Sequence, residues 1–173
     1  MLVPVVTDPA WTPEVFVDDN GYEPFTSFIE SVPDFTFVAL DAAIRLVLSV
    51  RGLELARTQW LKALGDGLYQ FRVRHDAEEI ARMFGDDEAL VAAAGVSRPG
   101  PVLLRVFVHF HGDKVILLLS GYDKGDDPSK KRQEREIAAA RKYLRAWKQQ
   151  ESKKKAAERR GGGNRPPSGR KRR

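Results

Sequence analysis

Residues 67–74 and 102–110 alternate along the chain with a period of two, which ties this sequence to a β-sheet with two chemically different faces. Read as a strand, Gly67–Arg74 turns Tyr69, Phe71 and Val73 one way and Gln70, Arg72 and Arg74 the other. Val102–Phe110 does the same, with Leu104, Val106, Val108 and Phe110 opposite Arg105, Phe107 and His109. A His111-Gly112-Asp113 turn leads into Lys114–Ser120, which is apolar on both faces and predicts a strand covered on both sides. Side-by-side pairing of the three would bring Arg72, Arg74 and Arg105 to one surface. Guanidinium groups fixed on rigid strands make a multi-donor site for phosphate. The same alternation is also how any half-buried sheet keeps one face soluble.

A chain of 173 residues, 42% of them hydrophobic, suits one domain with an appendage, divided here into residues 1–150 and a basic tail over 151–173. With no cysteine there is no disulfide, thiolate metal site or cysteine nucleophile. The N-terminus lacks a basic region followed by an apolar run, and no apolar stretch is long enough to span a bilayer. A cytoplasmic protein without membrane contact is the expectation. The net charge of +5 is unevenly placed. Residues 151–173 carry ten Lys or Arg against Glu151 and Glu158, and residues 124–150 nine against four acids. Residues 1–123 hold ten basic and eighteen acidic groups. Such a body argues against a nucleic-acid field over the whole surface and for a local cationic site.

The other elements follow from punctuation and periodicity. Glu14–Asp18 predicts a short edge strand, and Asp18-Asp19-Asn20-Gly21 a turn that lacks the remaining ligands of a calcium loop. Phe25, Phe28, Ile29 and Val32 space one face of a helix over Tyr22–Val32 that Pro33 ends. A second helix runs from Phe35 to Val50, with Gly52 at its C′ position. Together they form a helical hairpin suited to cover a sheet. Ala56–Leu64 reads as a connector with Trp60, and Gly65-Asp66-Gly67 as the turn into the first arginine strand. Residues 76–101, helical over Glu78–Ala94 with a break near Gly85, form an insertion between strands. A polar loop follows Ser120, then an amphipathic helix over Lys131–Lys148 with Ile137, Ala140, Tyr143, Leu144 and Trp147 along one side. The terminal glycine-rich, arginine-rich segment predicts a disordered polyanion-binding tail.

His109 and His111 make an H-x-H pair, but a turn at His111 would spoil a zinc site and no third ligand has matching spacing. No metal is expected. His109 shares the Arg105 face and titrates near neutrality, which makes it a candidate general base. Lys124, Lys130 and Lys131 are candidate phosphate contacts, and Tyr122 is a candidate base-stacking residue.

Several short motifs carry a family resemblance in order. Gly65-Asp-Gly-Leu-Tyr-Gln-Phe-Arg-Val-Arg74 resembles the "dGLyElR" strand of RelE/HigB-like toxins, particularly their phage-derived subgroup within the RelE/ParE superfamily. Arg105–Phe110 resembles their "yRvfyf" strand, and Lys114–Lys124 their "ivLLhgFvKK" strand and exit. Gln133–Leu144 is similar to the "REIelA..r..dyl" closing helix, and Phe25–Val32 to "vleFLdsL". The likeness covers about Pro24–Trp147 apart from the insertion. It implies an α+β fold: a four-stranded, mainly antiparallel sheet packed on the N-terminal helical hairpin, with a C-terminal helix.

The resemblance further implies a type II toxin, a metal-independent and cofactor-free endoribonuclease that cleaves mRNA at the ribosome. An antitoxin, expected to be a helix-turn-helix protein, would neutralise it. By the same likeness Arg72 and Arg105 fall on the family's phosphate-binding positions, Lys124 on one of its paired lysines and Tyr122 where it often has an aromatic residue. Joined with the candidates read from the residues themselves, Arg72, Arg105, His109 and Lys124 would be catalytic, with Arg74, Tyr122, Lys130 and Lys131 on the RNA. The family's paired lysines are reduced here to Asp123-Lys124, followed by Asp126 and Asp127. That departure keeps two alternatives open: an inactive binding module of the same fold, and a gyrase-targeting ParE-like toxin.

Overall fold

The computed structural model describes residues 10–84 and 102–162. It has an α+β architecture built on one sheet of five strands. In chain order these are β1 (Thr12–Val15), β2 (Leu61–Gly65), β3 (Leu68–Val73), β4 (Leu104–His111) and β5 (Val115–Asp123). The spatial order is β1-β5-β4-β3-β2. All neighbouring pairs are antiparallel except β1, which runs parallel to β5.

The expectation of four strands is corrected to five, because the stretch read as a connector contains β2. Leu61 is buried there, while Lys62 and Ala63 are exposed, so β2 is an edge strand whose alternation is too short to stand out. The Gly65-Asp66-Gly67 turn joins β2 to β3, and all three residues have positive φ, which glycine adopts without strain. The N-terminal strand lies at Thr12–Val15, two residues before the predicted start.

Helix α1 (Pro24–Ser31) starts with proline, whose fixed φ and missing N–H suit the first turn. Helix α2 (Asp34–Ala43) follows Pro33, passes through a π-helical turn at Ile44–Leu48 and ends as α3 (Ser49–Arg51). A 3-10 segment, Gly52–Arg57, leads to β2. Gly52 is needed for two reasons: its φ is +49°, and an added Cβ would stand 2.2 Å from the Trp11 indole. Of the predicted insertion, helix α4 (Ala77–Phe84) is described, with Ala77, Ile80 and Ala81 buried; the stretch over 85–101 lies outside the described residues.

The two sheet faces bury different cores. On one, Phe71, Val73, Leu104, Val106, Val108, Ile116 and Leu118 meet Phe25 and Phe28 of α1, Leu40 and Ala43 of α2, Val47, Leu48 and Ile80. On the other, Leu68, Phe107, Leu117, Leu119 and Tyr122 meet Phe16 and the Ala140 and Leu144 side of helix α5 (Lys130–Gly161). Burying a leucine or phenylalanine side chain stabilises by about 1.5–3 kcal/mol, so both layers are held firmly. Helix α5 reaches Gly161, well into the segment predicted as a disordered tail. The rest of that tail, residues 163–173, lies outside the described residues.

Candidate phosphate-binding site

The polar face of the sheet presents two arginines and a tyrosine as a row across three strands. Arg72 on β3 stands directly opposite Arg105 on β4, and Arg105 directly opposite Tyr122 on β5. Cross-strand partners share a face, so these three side chains leave the sheet on the same side about 5 Å apart at the backbone. The next row is Gln70, Phe107 and Ser120. Phe107 stacks on Tyr122, with ring centroids 6.1 Å apart and planes within 15°.

Strand β5 extends to Asp123, so Tyr122 sits on the sheet and not in the loop predicted after Ser120. Lys124 follows at once, its amide bonded to the Leu103 carbonyl at 2.8 Å. A register shift between Phe107 and Val108 lets Leu117, Leu119 and Tyr122 all enter the core beneath α5. That bulge sets Tyr122 beside Arg105.

The electrostatics are those of a compressed cation cluster. Burial and then the neighbouring Arg72 and Arg74 charges lower the Arg105 guanidinium from its ordinary value. Arg72 is lowered by burial and by Arg74. Lys124 is lowered by burial, then by Arg105, Arg72 and Arg74 in turn. Arg105 is 4% exposed, and its one hydrogen bond among the described residues is from Nη1 to the carbonyl of Leu104 at 3.1 Å. Among the described residues, no carboxylate forms an ion pair with Arg72, Arg74, Arg105 or Lys124. Arg74, one residue past the end of β3, is exposed and reaches only Gln59 Oε1 at 3.5 Å.

Four buried polar atoms on these two rows have no hydrogen-bond partner among the described residues: Gln70 Nε2, Arg72 Nε, Ser120 Oγ and Tyr122 OH. An unsatisfied buried polar group costs about 1–3 kcal/mol. Gln70 was legible as the residue alternating with Arg72. Ser120 was not, because its side depends on the bulge.

The remaining predicted residues lie elsewhere. His109 shares the Arg105 face but sits four residues, or about 13 Å, along the strand, with Phe107 between them. Its Nδ1 is 2.7 Å from the Gly67 carbonyl and its ring lies 5.3 Å from that of Trp147. Burial lowers its pKa despite the Gly67 hydrogen bond, helped by Lys148 and His111. His111 is the last residue of β4 and not part of the turn, so the two imidazoles share a face and stack 6.2 Å apart. Among the described residues, no group of three His, Cys, Asp or Glu could hold a metal ion. Lys130 and Lys131 are exposed in the first turn of α5, and Lys130 faces Glu134 at 3.8 Å. A cation the sequence did not single out for this site, Arg132, lies over the Tyr122 ring at 5.5 Å while bonded to Glu136 at 2.7 Å.

No protein-family model matches the chain, and no curated protein matches it either. No helix among the described residues is long and apolar enough to cross a membrane.

Proposed function

We propose that this chain is a RelE/HigB-like toxin, a metal-independent endoribonuclease that binds the RNA backbone on Arg72, Arg74, Arg105 and Lys124. The supporting observation is the meeting of these four cations, from strands β3 and β4 and from the exits of β3 and β5, with no carboxylate paired to any of them among the described residues. Like charges held together in a partly desolvated place favour an arriving phosphate, which relieves both their repulsion and their lost hydration.

Cleavage by this route needs no water or metal. The 2′-oxygen attacks the adjacent phosphorus, the bond to the 5′-oxygen breaks, and a 2′,3′-cyclic phosphate and a free 5′-hydroxyl result. Arg72 and Arg105 would stabilise the charge on the non-bridging oxygens. A base must take the 2′-hydroxyl proton, which then passes to the departing 5′-oxygen. Lys124, depressed by burial and then by three guanidinium neighbours, holds its proton less tightly than an ordinary lysine and fits that task better than His109 under α5. Tyr122, whose burial raises its pKa, would keep its proton and orient the phosphate. An antitoxin, mRNA and the ribosome in a cytoplasmic setting are the partners this reading carries with it.

A second reading, a non-catalytic RNA-binding module, draws on the burial of Arg105 and the distance of His109. Induced expression with growth and primer-extension readouts separates the two. Growth arrest with new mRNA 5′ ends, both relieved by Arg105→Ala, is the expected result. Arrest with intact mRNA, or toxicity that survives Arg105→Ala in a folded protein, overturns the assignment.

A further inference from the structure

We propose that a second site binds an aliphatic diammonium ion in the cavity between α1, the end of β5 and the start of α5. The cavity has a volume of about 290 Å³. It forms because β1 stops pairing with β5 at Leu118, so the outer edge of residues 119–123 has no strand beside it. Helix α1 closes one side of the gap and α5 the other. Gly121 permits the close approach of α1, since a Cβ there would lie 2.5 Å from the Phe28 ring.

Two observations specify the ligand. The first is charge. Asp123, Asp126 and Glu136 line the cavity with a single cation, Arg132, which Glu136 already engages at 2.7 Å. Asp123 and Asp126 have no cationic side-chain partner among the described residues. Burial, with the Asp126 charge adding to it, raises the Asp123 carboxyl, a cost that an arriving cation removes. The second is the floor. Ser120 and Tyr122, 6% and 2% exposed, both line the cavity, and neither hydroxyl has a partner. A hydroxyl oxygen accepts from an ammonium group as readily as from water.

The walls decide between a metal and an organic cation. The acidic side chains form no group that could chelate a metal among the described residues. Between them lie Phe28, Val32, Pro24, Pro33 and the ring of Tyr143. An alkyl chain packs on that surface while its ends reach carboxylates, and the aromatic faces favour a cation beside them.

The test is calorimetric titration of the full chain with putrescine, with 1,4-butanediol as the uncharged isostere and Mg²⁺ at matched charge. Saturable one-to-one binding of putrescine alone is expected, weakened at least tenfold in Asp123→Asn/Asp126→Asn and in Ala139→Phe, which fills the cavity without touching a charge. Circular dichroism of both variants establishes folding. Equal responses to putrescine and Mg²⁺, no saturable binding, or undiminished binding in either folded variant overturns the proposal. The titrations are made without RNA, and Tyr122, which also belongs to the arginine row, is left unchanged in both variants.

Discussion

Arg105 is the residue on which site and stability pull against each other. It is buried, flanked by Arg72 and Arg74, and bonded only to the neighbouring carbonyl. A neutral side chain of similar length removes the desolvation and the repulsion together. Arg105→Met should therefore raise the thermal midpoint by roughly 2–8 °C, the effect of about 1 kcal/mol on a domain of this size, while weakening phosphate binding. Differential scanning calorimetry checks it, and a lowered midpoint would mean the guanidinium is held by more than the Leu104 carbonyl. The alternation that placed Arg72 opposite Arg105 is readable because one side chain in two is apolar. Tyr122 was assigned to a loop, because Ser-Gly-Tyr-Asp looks like a strand end. Its burial in the second core comes from the bulge, which leaves no local composition signal.

At the scale of elements, α5 gives the clearest test. Ser129 is its N-cap, with the hydroxyl accepting from the Arg132 amide at 3.1 Å. Ser129→Ala should cost about 1 kcal/mol, seen as a lower denaturant midpoint, and should loosen the turn that carries Arg132 over Tyr122. The start of the helix near Lys131 was visible in the sequence; its length was not. Residues 151–161 have no apolar stripe, so periodicity falls silent there even though the backbone stays helical. Edge strand β2 was missed for a related reason, having too few residues to show alternation. A different element is fixed by shape: Gly52→Ala places a methyl inside the Trp11 indole at a positive φ. Chemical denaturation should show a loss of more than about 1 kcal/mol from overpacking and strain together.

Across the whole molecule, α5 is latched to the sheet by Trp147 over His109 and His111, with Glu14, 3.6 Å from His111, and Lys148 nearby. The folded His109 binds a proton less readily than the unfolded chain does. Its contribution is thus complete above the ordinary imidazole pKa of about 6.5 and declines as pH falls below it, because the unfolded state takes up the proton. Urea midpoints measured from pH 8 to pH 5 should decline, and His109→Gln should flatten the slope. An unchanged slope in the variant would place the acid sensitivity elsewhere. The mixed α+β layering and the central, doubly covered β5 were legible because they follow from hydrophobic pattern. The division of the polar face into a cation row and a latch under α5 was not, since it depends on where a distant helix lands.

The central claim is that Arg72, Arg74, Arg105 and Lys124 form one phosphate site. Fluorescence anisotropy of a short 2′-O-methyl RNA, which binds but cannot be cut, tests it directly as a function of salt. Wild type should bind with a steep salt dependence. Arg72→Ala and Arg105→Ala should each weaken binding and reduce the slope of log K against log salt by about 0.7 per lost phosphate contact. Variants that remain folded and bind with the affinity and slope of wild type would contradict the account.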